Sequence, residues 1–100
     1  MPSAVAAAAL AAPSSETLST AGVSAFSIRA AVDPGVMPRV LELFAKRGMV
    51  PRRWVSAVVG DELTIDVEVH GLPPDVAEYV ANCLRQVTFV DVVLMSSTRA

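Results

Sequence analysis

Cysteine and histidine each occur once, as Cys83 and His70, and their scarcity removes whole classes of chemistry. A single cysteine cannot close an intramolecular disulfide, which suits a reducing compartment, and a cytoplasmic location is expected. One Cys and one His without paired spacing offer no ligand set, so no metal site is expected. Charged residues make up only 18% of the chain, and eight Lys and Arg against ten Asp and Glu leave a net charge of −2. That balance gives no electrostatic footing for nucleic acid. Long apolar runs are missing too. Ala4–Ala12 holds only Ala, Val and Leu but is too short to span a bilayer, and the first cation of the chain is Arg29. Without Lys or Arg ahead of that run, the basic start of a secretory signal is lacking, and no membrane partner is expected.

What is present is apolar: 53% of the 100 residues. This is the length of one domain, with a core small enough that self-association would help stability. Residues 1–23 stand apart, with the alanine run, Pro13 and the polar stretch Ser14–Thr20. They are expected to form a disordered extension. The domain is expected over residues 24–97, with 98–100 as a frayed tail.

Within the domain, Phe26, Ile28, Ala30 and Val32 alternate with Ser27, Arg29 and Ala31, the period of a strand with one buried face. Asp33-Pro34-Gly35-Val36 stops it. Met37, Val40, Leu41 and Phe44 then recur at helical spacing, opposite Arg39, Glu42 and Lys46. Pro38 falls in the first turn, where a missing amide does little harm, and Arg47-Gly48 marks the end. Pro51–Val59 reads as an edge strand, because Pro51, Arg52 and Arg53 suit a margin better than a centre.

Gly60-Asp61 is a hairpin-sized gap before Glu62–His70, where Leu63, Ile65, Val67 and Val69 alternate with polar residues. Gly71–Pro74 launches a second helix whose stripe is Val76, Val80, Leu84 and Val87, widened by Ala77, Ala81 and Cys83. Thr88–Ser96 is a strand apolar on both sides. Val90, Val92 and Leu94 are expected on one face, and Phe89, Val93 and Met95 on the other. This order predicts an α+β, ferredoxin-like βαββαβ fold: a four-stranded antiparallel sheet with both helices on one face and the first and third strands central.

No catalytic residue is expected. His70 ends a strand with no orienting partner in view. Cys83 beside the helix stripe reads as a small core residue. Glu62, Asp66 and Glu68 take the solvent-facing positions of their strand, where charge is ordinary. Arg52 and Arg53 beside Trp54 lack the aromatic repetition of RNA-binding sheets, and Trp54 reads as an interface or core anchor. The Pro-Gly junction differs, because its chemistry rests on backbone. Glycine leaves its amide unshielded, and the first helical turn leaves donors unpaired, which together suit a carboxylate. On spacing alone, plain turn chemistry is the favoured reading, since strand-to-helix turns often contain Pro-Gly as a structural stop.

Asp33-Pro34-Gly35-Val36-Met37-Pro38-Arg39-Val40, followed by Leu43-Phe44-Ala45-Lys46-Arg47-Gly48, resembles the opening of an ACT domain. It is most similar to those of the short, single-domain small (regulatory) subunits of acetolactate synthase (acetohydroxyacid synthase), and the likeness runs from about Ser24 to Ser97. The resemblance implies a non-catalytic subunit that activates the catalytic large subunit in branched-chain amino-acid biosynthesis. Thiamine diphosphate, Mg²⁺ and FAD would reside on that partner, and no cofactor on this chain. It also implies a homodimer through the ACT domain. A small amino-acid effector would sit at the first strand-to-helix loop, on Val32, Asp33, Pro34, Gly35, Val36 and Met37.

Valine-sensitive small subunits carry Asn three residues before the loop glycine. Val32 stands there instead and cannot make that hydrogen bond, so valine feedback is expected to be weak or absent. Trp54, Val93 and Met95 are the expected interface residues. The alternative is a stand-alone ACT module that senses an amino acid and regulates another enzyme.

Overall fold

The computed structural model describes residues 22–98, so the extension expected over 1–23 lies outside the described residues except at its end. Six elements follow in the expected order: β1 (Val23–Ala31), α1 (Val36–Lys46), β2 (Arg53–Val59), β3 (Glu62–His70), α2 (Pro74–Arg85) and β4 (Val90–Thr98). The sheet order is β2-β3-β1-β4 with every pairing antiparallel, which leaves β1 and β3 central. Gly22 and Val23 at one end, and Thr98 at the other, thus belong to the folded unit and widen the expected 24–97.

Both helices cover one face of the sheet and close a single core. Phe26 and Ile28 of β1 and Ile65 and Val67 of β3 meet Val36, Val40 and Phe44 of α1, with Val80 and Leu84 of α2. The Phe26 and Phe44 rings touch edge to face, with centroids 5.9 Å apart and planes inclined by 61°. α1 ends as its sequence suggests. Gly48 takes φ 71°, its amide donates to Ala45 O, and the Met49 amide donates to Phe44 O, which satisfies the last carbonyls. α2 opens on Pro74 with Asp75 in its first turn and carries Arg85 in its last, each charge favourable to the helix dipole. The hairpin turn at Gly60, φ 66°, sits where expected between Val59 and Glu62.

Three expectations about side-chain direction are corrected. β1 stops at Ala31, so Val32 does not continue the buried row of Phe26, Ile28 and Ala30; it lies on a bend, 52% exposed. In α1 the fully buried residues are Val36, Val40 and Phe44, flanked by Met37 and Leu43, so the stripe is centred on the i, i+4, i+8 row and Leu41, one step past Val40, faces outward. In β4 a bulge resets the alternation. Arg29 pairs with Val92 but Ala30 pairs with Val90, so Asp91 is an extra residue and the phase changes there. Val90, Val93 and Met95 therefore share the helix side, opposite Ala30, Ile28 and Phe26, and Val92 and Leu94 face away from it. Phe89 precedes the strand in a left-handed conformation, φ 74°, and its ring is half exposed.

The interface expectation changes with it. Val93 is only 3% exposed and belongs to the core, while Met95 and Trp54 are partly buried against it. The outward apolar positions of the sheet are Val92, Leu94, Val55 and Val59.

Candidate functional site

The loop between β1 and α1 is closed by its own residues. Asp33, half-buried, accepts a hydrogen bond from the Gly35 amide through Oδ2 at 2.9 Å, and its carbonyl accepts from the Val36 amide at 3.2 Å. This is the short polar side chain folding onto its own backbone that turns favour. The Gly35 donor, the one expected to be free for a ligand, is thus already held by a carboxylate. Gly35 itself has φ −82° and ψ −12°, ordinary values for any L-residue. Its missing side chain matters for space. A Cβ there would meet the Arg39 guanidinium, which lies across the loop, and would sit 3.1 Å from Asp33 Oδ2.

The six expected effector residues do not form one surface. Val32 and Pro34 are exposed, Asp33 and Gly35 are half-buried, Met37 packs against the core, and Val36 is fully buried. What the loop can do follows from Asp33, Gly35 and Arg39. A ligand carboxylate could take the Gly35 amide only by displacing Asp33, and Arg39 is the cation beside it. Among the described residues the one ion pair within 4.0 Å is Lys46 to Glu42, at 3.7 Å, so Arg39 is not engaged in one.

A second cluster was not visible in the sequence. Arg47, just past α1, stacks over the Tyr79 ring at 5.4 Å and donates to Leu43 O at 3.1 Å. It also makes long contacts with Tyr79 Oη at 3.5 Å and Cys83 Sγ at 3.6 Å. The Tyr79 hydroxyl, ahead of opposing desolvation and the pull of Cys83, raises the Arg47 pKa above its ordinary value, so this exposed group stays charged. Cys83 is accordingly partly buried on the seam between the helices and not among the core residues, which corrects its reading as one. No spacing signals a contact between residues 36 positions apart. A third device, equally silent in the sequence, ties α2 to the edge strand: Arg85 donates to Val93 O at 2.9 Å and to Asn82 Oδ1 at 2.8 Å.

The remaining candidates lie apart from these. Glu62, Asp66 and Glu68 are on the sheet face away from the helices, with Glu62 and Asp66 exposed. His70 is half-buried at the end of β3, and its Nδ1 is enclosed without a hydrogen-bond partner among the described residues. Arg53 begins β2 beside Glu68. Among the described residues no group of three or more His, Cys, Asp or Glu is placed to hold a metal, and no helix is long and apolar enough to cross a membrane.

Comparison with known proteins agrees with the topology. A family model described as an ACT-like domain matches residues 17–100. The chain is similar in structure to the ACT domain from GTP pyrophosphokinase of Chlorobium tepidum, with a TM-score of 0.67 at 16% identity, covering 75% of this chain and 97% of that one. An ACT domain protein from Streptococcus pneumoniae gives 0.63 at 16% identity, covering 77% and 90%. The ligand-free regulatory subunit of aspartate kinase from Thermus thermophilus gives 0.60 at 13% identity, covering 76% of this chain and 51% of that one. No curated protein matches the chain.

Proposed function

The chain belongs to the ACT-like domain family, and we propose that it is a non-catalytic regulatory subunit of acetolactate synthase that activates the catalytic large subunit with weak or absent valine feedback. ACT-like domains regulate rather than catalyse, so chemistry with thiamine diphosphate, Mg²⁺ and FAD would reside on the partner. The observation that carries the reading is the Asp33-Pro34-Gly35-Val36 loop. Its sequence resembles the small-subunit opening, and its effector donor is held by Asp33. A loop satisfied internally suits a subunit that activates by docking. The test is co-purification with an acetolactate synthase large subunit, with acetolactate formation measured with and without this chain. Binding with a higher rate supports the reading; no binding and an unchanged rate overturn it.

A second reading, a stand-alone module that senses an amino acid and regulates another enzyme, is favoured by Arg39 beside the loop. A ligand carboxylate would exchange with that of Asp33 on the Gly35 amide while Arg39 supplies charge. Removing Asp33 leaves the donor open, so Asp33→Ala should bind such a ligand more tightly than the native chain. A ligand at about a hundredfold over its dissociation constant stabilises the fold by roughly 2.7 kcal/mol, readily seen in a melt. No shift for any amino acid, with either chain, would end this reading.

A further inference from the structure

Three of the eight cations of the chain, Arg39, Lys46 and Arg47, line one shallow depression of about 300 Å³ on the flank of α1. Glu42 is the carboxylate among its lining residues and Leu43 the apolar one. The four charged groups are exposed, whereas Leu43 is half-buried against the core. Three cations against one carboxylate leave this patch a formal charge of +2, on a chain whose net charge is −2. The row Glu62, Asp66 and Glu68 lies on the far face of the sheet and does not neutralise it. Tyr79 of α2, 56% exposed, borders the patch through its ring contact with Arg47. That contact and the bond to Leu43 O hold the Arg47 guanidinium in place at one end. The other cations are available. Lys46 meets Glu42 at 3.7 Å with both side chains well exposed, a pairing of small strength, and Arg39 has no ion pair within 4.0 Å among the described residues.

We propose that this flank of α1 is a docking surface for an acidic amphipathic helix of a partner protein. Charge complementarity sets the sign of the occupant, and spacing sets its form. Arg39 and Lys46 are seven residues apart on α1, about 10 Å along the axis at roughly 1.5 Å per residue. One phosphate or one carboxylate cannot span that distance. An extended strand repeats the same face about every 6.8 Å, so its side chains fall short of the second cation or beyond it. A helix with carboxylates at i and i+7 matches both cations at once. An apolar residue at i+3 or i+4 of that helix then lies over Leu43, which stands between Arg39 and Lys46, and Arg47 and the Tyr79 hydroxyl remain as donors beside it. This is recognition of a helix along a groove by one apolar anchor and a rim of charge. The inference deepens the regulatory reading by naming the surface that holds the regulated enzyme, and it rests on that reading only for the identity of the partner.

The probe is a labelled, alanine-rich peptide of about 18 residues, long enough to be helical, with Glu at i and i+7 and Leu at i+3 and i+4. Its binding to the full chain is followed by fluorescence anisotropy at low salt, beside a control peptide with Lys in place of Glu. The acidic peptide should bind with a dissociation constant below about 1 mM and weaken as salt is raised, and the basic peptide should not bind. Charge reversal at an exposed position turns an attraction into a repulsion. Lys46→Glu, which lies away from the β1–α1 loop, should therefore weaken binding about fivefold, and Arg39→Glu with Lys46→Glu more than about tenfold, with the circular dichroism melt still cooperative. No binding of the acidic peptide, or equal binding by the double variant, overturns the proposal. Displacement of the peptide by an equal concentration of inorganic pyrophosphate overturns it too, since the patch would then be a site for small anions. The same double variant is then mixed with the acetolactate synthase large subunit. If the native chain binds that subunit and the double variant binds it equally well, the docking surface is refuted while the regulatory reading stands. If the native chain does not bind it but the peptide behaves as expected, the regulatory reading falls and the docking surface is upheld.

Discussion

Gly35→Ala isolates what the β1–α1 loop requires. Because Gly35 has φ −82°, alanine meets no backbone penalty, and the narrower unfolded ensemble favours the folded state by about 0.4–1 kcal/mol. Against this stand two contacts. The new methyl would displace the Arg39 guanidinium, the far end of an exposed, flexible side chain that holds no ion pair among the described residues, so it can swing away at little cost. It would also press on Asp33 Oδ2 at 3.1 Å and lengthen the hydrogen bond to the Gly35 amide, which contributes about 1 kcal/mol in total and would be lost only in part. The opposing terms nearly cancel, and the net change is expected within about 0.5 kcal/mol. At roughly 4–8 °C per kcal/mol for a domain of this size, Tm should move by about 4 °C or less in either direction.

Gly48→Ala provides the contrast. Its φ of 71° is unfavourable for alanine by roughly 1–2 kcal/mol although nothing lies within 4 Å of the added carbon, so its melt should fall by about 4–16 °C. Both variants are compared with the native chain by calorimetry. A Gly35→Ala loss equal to or larger than that of Gly48→Ala would refute the reasoning, because the loop would then depend on glycine's conformational freedom.

Further outcomes follow from the core, the strand entry and the helix seam. Phe44→Ala removes a fully buried ring and its edge-to-face partner on Phe26, and should cost about 3–5 kcal/mol in urea denaturation; a cost below about 2 would mean the helix layer collapses onto the gap. Phe89→Asn puts a residue tolerant of the left-handed region at φ 74° and gives up little burial, so a gain of about 0.5–1 kcal/mol is expected; a loss would show that the half-exposed ring matters more than its backbone. Cys83 should react with a thiol reagent in the native state, without denaturant, since it is only partly buried beside Arg47; full protection would place it in the core.

Much of the fold was legible because its signals are local. The alternation of Leu63, Ile65, Val67 and Val69, the Gly60 turn and the Gly48 helix end each depend on neighbours along the chain, and the structure places all three as read. The helix faces were legible with an error at α1, where the buried stripe is centred on Val36, Val40 and Phe44 and leaves Leu41 outside. β4 was misread because its two faces are both apolar, so no contrast marked the extra residue at Asp91, and a single bulge moved Val90 across the sheet.

The loop shows the same division at the site itself. Sequence alone determined that a strand gives way to a helix at Asp33-Pro34-Gly35-Val36, because proline, glycine and the periodicity on either side act through the local backbone. It also determined the family pattern that spans the chain. Only tertiary structure decided that Asp33 closes on the Gly35 amide, that Arg39 fills the space above it, and that Arg47 joins Tyr79 and Cys83 across two helices. It likewise decided which apolar residues of β4 face out. Those outcomes depend on the direction of side chains once the helices pack on the sheet, and direction in space is set by register and packing that no stretch of sequence contains by itself.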